Sequence, residues 1–213
     1  AEDDVSDRAL PYMTARTIRL GMAPVLVSRL TFIGELGYEL HAPSEYAARL
    51  YEQLSAAGAK HGLRNAGYRV LDTLRLEKAN KVWAADLTPE TDPYSAGLGF
   101  CVRLDKGEFI GREALLRIKT DGPARRFVTF ALAPDIHLRG GEAILADGKV
   151  VGQLTSGGSG HAVGKTIGLG YVPARVPLPE KYEIEAAGVL HAASRHDRPL
   201  YDPEGLKLDR PQP

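Results

Sequence analysis

The residues most open to chemistry lie in one run, Arg29-Leu30-Thr31-Phe32-Ile33-Gly34-Glu35-Leu36-Gly37-Tyr38-Glu39-Leu40. An acid, Glu35, is set between two glycines inside an otherwise apolar stretch. A solvated turn would account for a Gly-Glu pair with no further role. The alternative is a carboxylate that a bare backbone presents to a ligand. Such a carboxylate suits a heterocycle with an amidine-like pair of N–H donors, because two parallel charge-assisted hydrogen bonds can form.

Other reactive types offer less. Gly164-Lys165-Thr166 has the end of a phosphate loop, but position 159 is Ser where the motif needs Gly. The tract also leads into an apolar run, Ile167 to Val172, that reads as a strand rather than a helix. Gly97-Leu98-Gly99 has no third glycine in register, so no dinucleotide fingerprint is present and FAD or NAD has no Rossmann site here. The six histidines form no zinc spacing, so no metal site is expected. No Gly-x-Ser-x-Gly elbow occurs. The one thiol, Cys101, falls in an apparent strand and reads as buried and inert.

Composition narrows the classes further. Lys plus Arg and Asp plus Glu are 27 each, which argues against a nucleic-acid surface. No apolar run approaches the ~20 residues of a membrane span. One cysteine permits no internal disulfide and suits a reducing compartment. With an Ala- and Arg-rich composition, a bacterial cytoplasm is the expected setting.

The elements that must position these groups read as an α+β chain. Val25–Val27 and Tyr38–His41 are strand-like, with the glycines as the turn between them. Ser44 has the character of an N-cap for a helix carrying Ala47, Leu50, Tyr51 and Leu54 inward, ended by Gly58 or Gly62. A second helix is expected from about Tyr68 to Ala79, with Val70, Leu71 and Leu74 as its apolar stripe. Trp83 to Pro93 reads as a loop, Phe100 to Leu104 as a strand, and a short helix follows Gly111. Composition shifts at Asp121-Gly122-Pro123, the expected domain boundary. Beyond it, short strands punctuated by glycine suggest a small barrel or sandwich, and Asp147-Gly148 is a hairpin signal.

Several blocks, in order, resemble the glycine-cleavage aminomethyltransferase family. Gly34-Glu35-Leu36-Gly37-Tyr38-Glu39 resembles its Gly-Glu-x-Gly-aromatic-Glu block, and Asp72-Thr73-Leu74-Arg75-Leu76-Glu77 its Asp-Ser-Leu-Arg-Leu-Glu block. Leu87-Thr88-Pro89 through Leu98, Phe109 to Leu115, Gly152 to Gly157 and Ile167 to Val172 follow in sequence. Leu76-Glu77-Lys78, Trp83, Ala9 to Arg16 and Asp197 to Pro203 look most like the C-terminal region of sarcosine and dimethylglycine dehydrogenases and oxidases.

The resemblance implies part of a folate-binding body over residues 1–120, a β-barrel domain over 121–203 and a tail over 204–213. It implies tetrahydrofolate as cofactor and one-carbon transfer from an N-methylamine-demethylating flavoenzyme. A pterin offers the N–H pair that Glu35 would anchor; Tyr38 and Trp83 would pack near it. Arg75 would either contact the ligand or serve the fold. The family has an Arg just before the second block's Asp, which meets the folate tail; here that position is Leu71, leaving Arg69 or a different contact. The family's catalytic aspartate lies in the N-terminal half of its domain, and Asp3, Asp4 and Asp7 do not match its context. That aspartate, half of the folate pocket and any FAD domain are expected on other sequence or a flavoprotein chain, so whether this chain is itself an enzyme stays open. The competing expectation is a non-catalytic interaction module or a subunit of a split aminomethyltransferase.

Overall fold

The structure is a computed structural model that describes residues 3–175, 179 and 181–208. It forms two compact units, Ala1–Leu71 with Glu204–Pro213, and Asp72–Pro203. Part of the expected tail, 209–213, lies outside the described residues.

The first unit is built on an antiparallel sheet of β1 (Ala15–Leu20), β2 (Ala23–Ser28) and β3 (Glu39–His41) in that order. Strand alternation sends Ala23, Val25 and Val27 inward and leaves Pro24 and Leu26 outside. Ile18, Val25 and Val27 pack with Leu10 and Leu50 as the unit's core. The first strand was not read from the sequence, because Arg16, Thr17 and Arg19 interrupt its apolar pattern.

Ser44 does not cap the following helix. It opens a 3₁₀ turn, Ser44–Tyr46, that runs on into α1 (Ala47–Ala59), and no side chain caps either element. The reason is local: Pro43 holds φ at −57° just ahead, so Ser44 is already inside the turn. Gly62, at φ +75°, follows the helix end. Only Leu50 of α1 is buried; Tyr51 and Leu54, expected inside, are exposed.

α2 (Val70–Glu77) buries Arg75, Leu76 and Glu77 rather than the expected stripe of Val70, Leu71 and Leu74. It ends on paired bonds, Ala79 N–H to Leu76 C=O and Asn80 N–H to Arg75 C=O, with Ala79 left-handed at φ +53°. That is the Schellman arrangement, with Ala where Gly is usual. The expected strand at Phe100 is instead a 3₁₀ turn, Gly99–Cys101, and Cys101 is exposed rather than buried. Gly97 just before it and Gly99 at its first position favour a turn over a pleated run. α3 (Arg112–Asp121) starts after Gly111 as its sequence predicts. Gly122 at its end takes φ +77°, inside the second unit.

The rest of the second unit is a closed barrel. Its strands are β4 (Arg125–Leu132), β5 (Ala143–Ala146), β6 (Lys149–Gly160), β7 (Lys165–Pro173), β8 (Lys181–Ala186) and β9 (Val189–His196). They close in the order β4-β7-β6-β5-β8-β9. Asp147 and Gly148 both take positive φ, the two-residue hairpin their sequence signals. Phe130 and Tyr182 meet edge to face at 5.2 Å among Val128, Ile144, Leu154, Val172 and Ile184. β7 is buried on both faces, because Leu76 of α2 lies against Ile167 and Leu169 outside the barrel.

Candidate functional site

In the first unit the loop from Arg29 to Tyr38 is fixed at both ends. Arg29 is 1% exposed; its guanidinium donates to the Leu10 and Leu208 carbonyls at 3.2 Å each and pairs with Asp7 at 3.1 Å. Its own backbone N–H is held by the Thr14 carbonyl at 2.9 Å. Further on, Gly34 N–H donates to Thr31 Oγ1 at 3.1 Å and Leu36 N–H to the Lys207 carbonyl at 3.0 Å. A Cβ at Gly37 would stand 3.0 Å from the Leu30 carbonyl oxygen, so the chain there closes tightly on itself.

Glu35 sits at the centre of that loop. Its side chain is 47% exposed, with Lys207 Nζ 3.6 Å from Oε1. Tyr38 and Leu36 are also exposed. The loop thus presents a water-facing carboxylate beside apolar side chains, on a backbone held by an internal arginine. Reading the sequence missed Arg29 and Lys207. The signal for the first was present: an arginine interrupting an apolar run must be buried with partners or break the run.

The other two candidates belong to the second unit. Arg75 is buried; its guanidinium donates to Asp86 at 2.6 Å, to Ser156 Oγ at 2.8 Å and to the Asn80 carbonyl at 3.1 Å. Asp86 is 1% exposed and also accepts from Thr155 Oγ1 at 2.5 Å, Ser156 Oγ at 2.7 Å and Val82 N–H at 2.9 Å. Its backbone carbonyl accepts from Tyr171 OH at 2.9 Å. Burial raises the Tyr171 pKa above the ordinary tyrosine value. Lys81 Nζ lies 4.5 Å over the Phe127 ring, and burial lowers its pKa, partly offset by the charge of Asp86. Trp83 stands between these anchors and is 66% exposed. So Arg75 and Trp83 are joined through Asp86, a residue the sequence reading did not single out, while Glu35 and Tyr38 share the loop of the first unit.

Among the described residues no three His, Cys, Asp or Glu side chains gather as a metal site, and no helix is long and apolar enough to cross a membrane. Tract 164–166 enters β7, as its apolar run predicts.

Known proteins share this framework. Residues 1–106 match the family model "GCVT N-terminal domain", and residues 125–202 match "Glycine cleavage T-protein C-terminal barrel domain". Human mitochondrial sarcosine dehydrogenase is 39% identical over 214 residues, covering 96% of this chain and 23% of the human protein. Mouse mitochondrial dimethylglycine dehydrogenase is 36% identical over 201 residues, covering 93% of this chain and 23% of its own length. An aminomethyltransferase of Halothermothrix orenii is 40% identical over 164 residues, 77% of this chain and 46% of that protein. The crystal structure of glycine cleavage system aminomethyltransferase T from Bartonella henselae superposes with a TM-score of 0.81 at 27% identity, covering 92% of this chain and 54% of that one. The chain therefore spans less than half the length of these curated relatives.

Proposed function

We propose, from the premise that this chain belongs to the glycine cleavage T-protein family, that it forms part of a tetrahydrofolate site for one-carbon transfer. The observation that carries the reading is Glu35: an exposed carboxylate on a loop fixed by buried Arg29 and by the Lys207 carbonyl. Those residues fit a pterin edge, which needs a charged acceptor held still and open to solvent. The aromatic face of Tyr38, exposed on the same loop, suits the flat ring system. Arg75 serves the fold of the second unit, since its guanidinium is engaged by Asp86 and Ser156 there. When bound, the folate supplies the nitrogens that accept the carbon. What this chain supplies is orientation, which is worth much of the barrier when two reactants must meet.

The sarcosine and dimethylglycine dehydrogenases among the relatives support an N-methylamine as the carbon source, and in this reading its oxidation takes place on a flavin. That flavin would be held by other sequence or another chain, together with the aspartate that the family uses. The test is isothermal titration of a stable reduced folate into the full-length protein and its Glu35→Gln variant. Hydrogen bonds to a charged group are worth about 1.5–3 kcal/mol, so affinity should fall about tenfold or more. Unchanged affinity removes Glu35 from the site.

A second reading, a module that docks on another protein surface, draws on a different observation. Tyr51, Leu63 and Tyr68 of the first unit are more than half exposed. Size-exclusion chromatography across a concentration series separates the two: a monomer at all concentrations counts against docking between copies.

A further inference from the structure

We infer that Asp86 is a positioning residue whose task is to hold Trp83 as a fixed aromatic surface. The inference rests on the folate reading only for the identity of what meets the indole. The geometry is a closed loop. Asp86 Oδ2 accepts the Val82 N–H at 2.9 Å, while the Val82 carbonyl accepts the Asp86 N–H at 2.9 Å and the Leu87 N–H at 3.2 Å. Ala84 N–H donates to the Leu87 carbonyl at 2.8 Å, and Trp83 pairs with Leu87 in an isolated bridge. The residues on both sides of Trp83 are therefore tied to one another and, through the carboxylate, to Arg75 of α2 and to Thr155 and Ser156 of β6.

One feature shows that the backbone here is held rather than relaxed. Ala84 takes φ +73°, a left-handed conformation that L side chains rarely adopt. The indole of its neighbour Trp83, two thirds exposed, takes its position from that backbone. Strain of that kind persists only where the surroundings over-determine it, and it gathers at ligand sites. A buried carboxylate saturated by a guanidinium, two hydroxyls and a backbone N–H supplies that determination.

Trp83 is the single tryptophan of the chain, so its fluorescence reports the loop directly. The experiment compares the full chain with Asp86→Asn and with a milder Thr155→Val/Ser156→Ala double variant. Emission anisotropy and acrylamide quenching are read without ligand, with circular dichroism confirming a folded barrel. In Asp86→Asn the anisotropy should fall and the quenching constant rise about twofold, the double variant lying between. Wild-type anisotropy and quenching in folded Asp86→Asn overturn the inference. If that variant does not fold, the same values in the double variant overturn it. A second arm measures reduced-folate affinity of full-length protein with and without Asp86→Asn. A tenfold loss together with the loosened indole supports both readings. A loosened indole with unchanged folate affinity leaves Asp86 in its role and removes Trp83 from the folate surface.

Discussion

At the scale of single residues, three alanines carry conformations that glycine would take without strain. Ala79 ends α2 at φ +53°, Ala84 turns the Trp83 loop at φ +73° and Ala187 lies between β8 and β9 at φ +51°. The left-handed region costs an L residue about 1–2 kcal/mol. Replacing Ala84 by Gly should therefore stabilise the second unit by up to about 1 kcal/mol after the added freedom of the unfolded chain is counted. Chemical denaturation of both proteins checks this; a loss of stability would mean that the Ala84 methyl makes a packing contact that outweighs the strain. The candidate site was half legible at this scale. An acid between glycines announces itself in a sequence, so Glu35 could be singled out. Asp86 could not, because an aspartate in a loop looks the same whether it meets water or the five donors that surround its carboxylate and carbonyl.

Among the elements, the barrel carries the larger core, and Phe130 is one of its largest fully buried side chains. Phe130→Ala should cost about 3–5 kcal/mol, because the closed strands cannot collapse into the space. Lys81 gives a pH dependence with a definite sign. Its folded pKa is below the ordinary 10.5, so over that interval the unfolded chain binds more protons and stability rises with pH. Lys81→Met should remove that rise and leave the protein more stable at neutral pH; denaturant midpoints from pH 7 to 10 would show it. The barrel strands were legible because β-branched runs separated by glycine have few other solutions. The face of α2 was not. Its periodicity pointed to Val70, Leu71 and Leu74, whereas its last turn buries Arg75 and Glu77, whose charges meet Asp86 and the Ala162 N–H. Pattern reading assigns charged residues to water, and only tertiary partners reverse that.

For the molecule as a whole, the two units differ in how firmly they are made. Residues 61–70 are exposed throughout, and helical structure resumes only at Val70. Backbone with so little burial is where proteases cut first. Brief trypsin treatment should cleave after Arg64 or Arg69 before any site in β4–β9, and mass spectrometry of the fragments would reveal the order. Early cuts within the barrel would contradict this ranking.

The strand topology carries a consequence for handling the chain. A closed barrel offers no unpaired strand to a neighbour, whereas the sheet of β1, β2 and β3 is open, with the three residues of β3 all exposed at its edge. An edge strand is a template for adding another chain, and Leu40 on it is apolar. Inclusion bodies or fibrils formed by this protein should therefore grow from its first seventy residues. A single lysine at position 40 would be the most economical solubilising change.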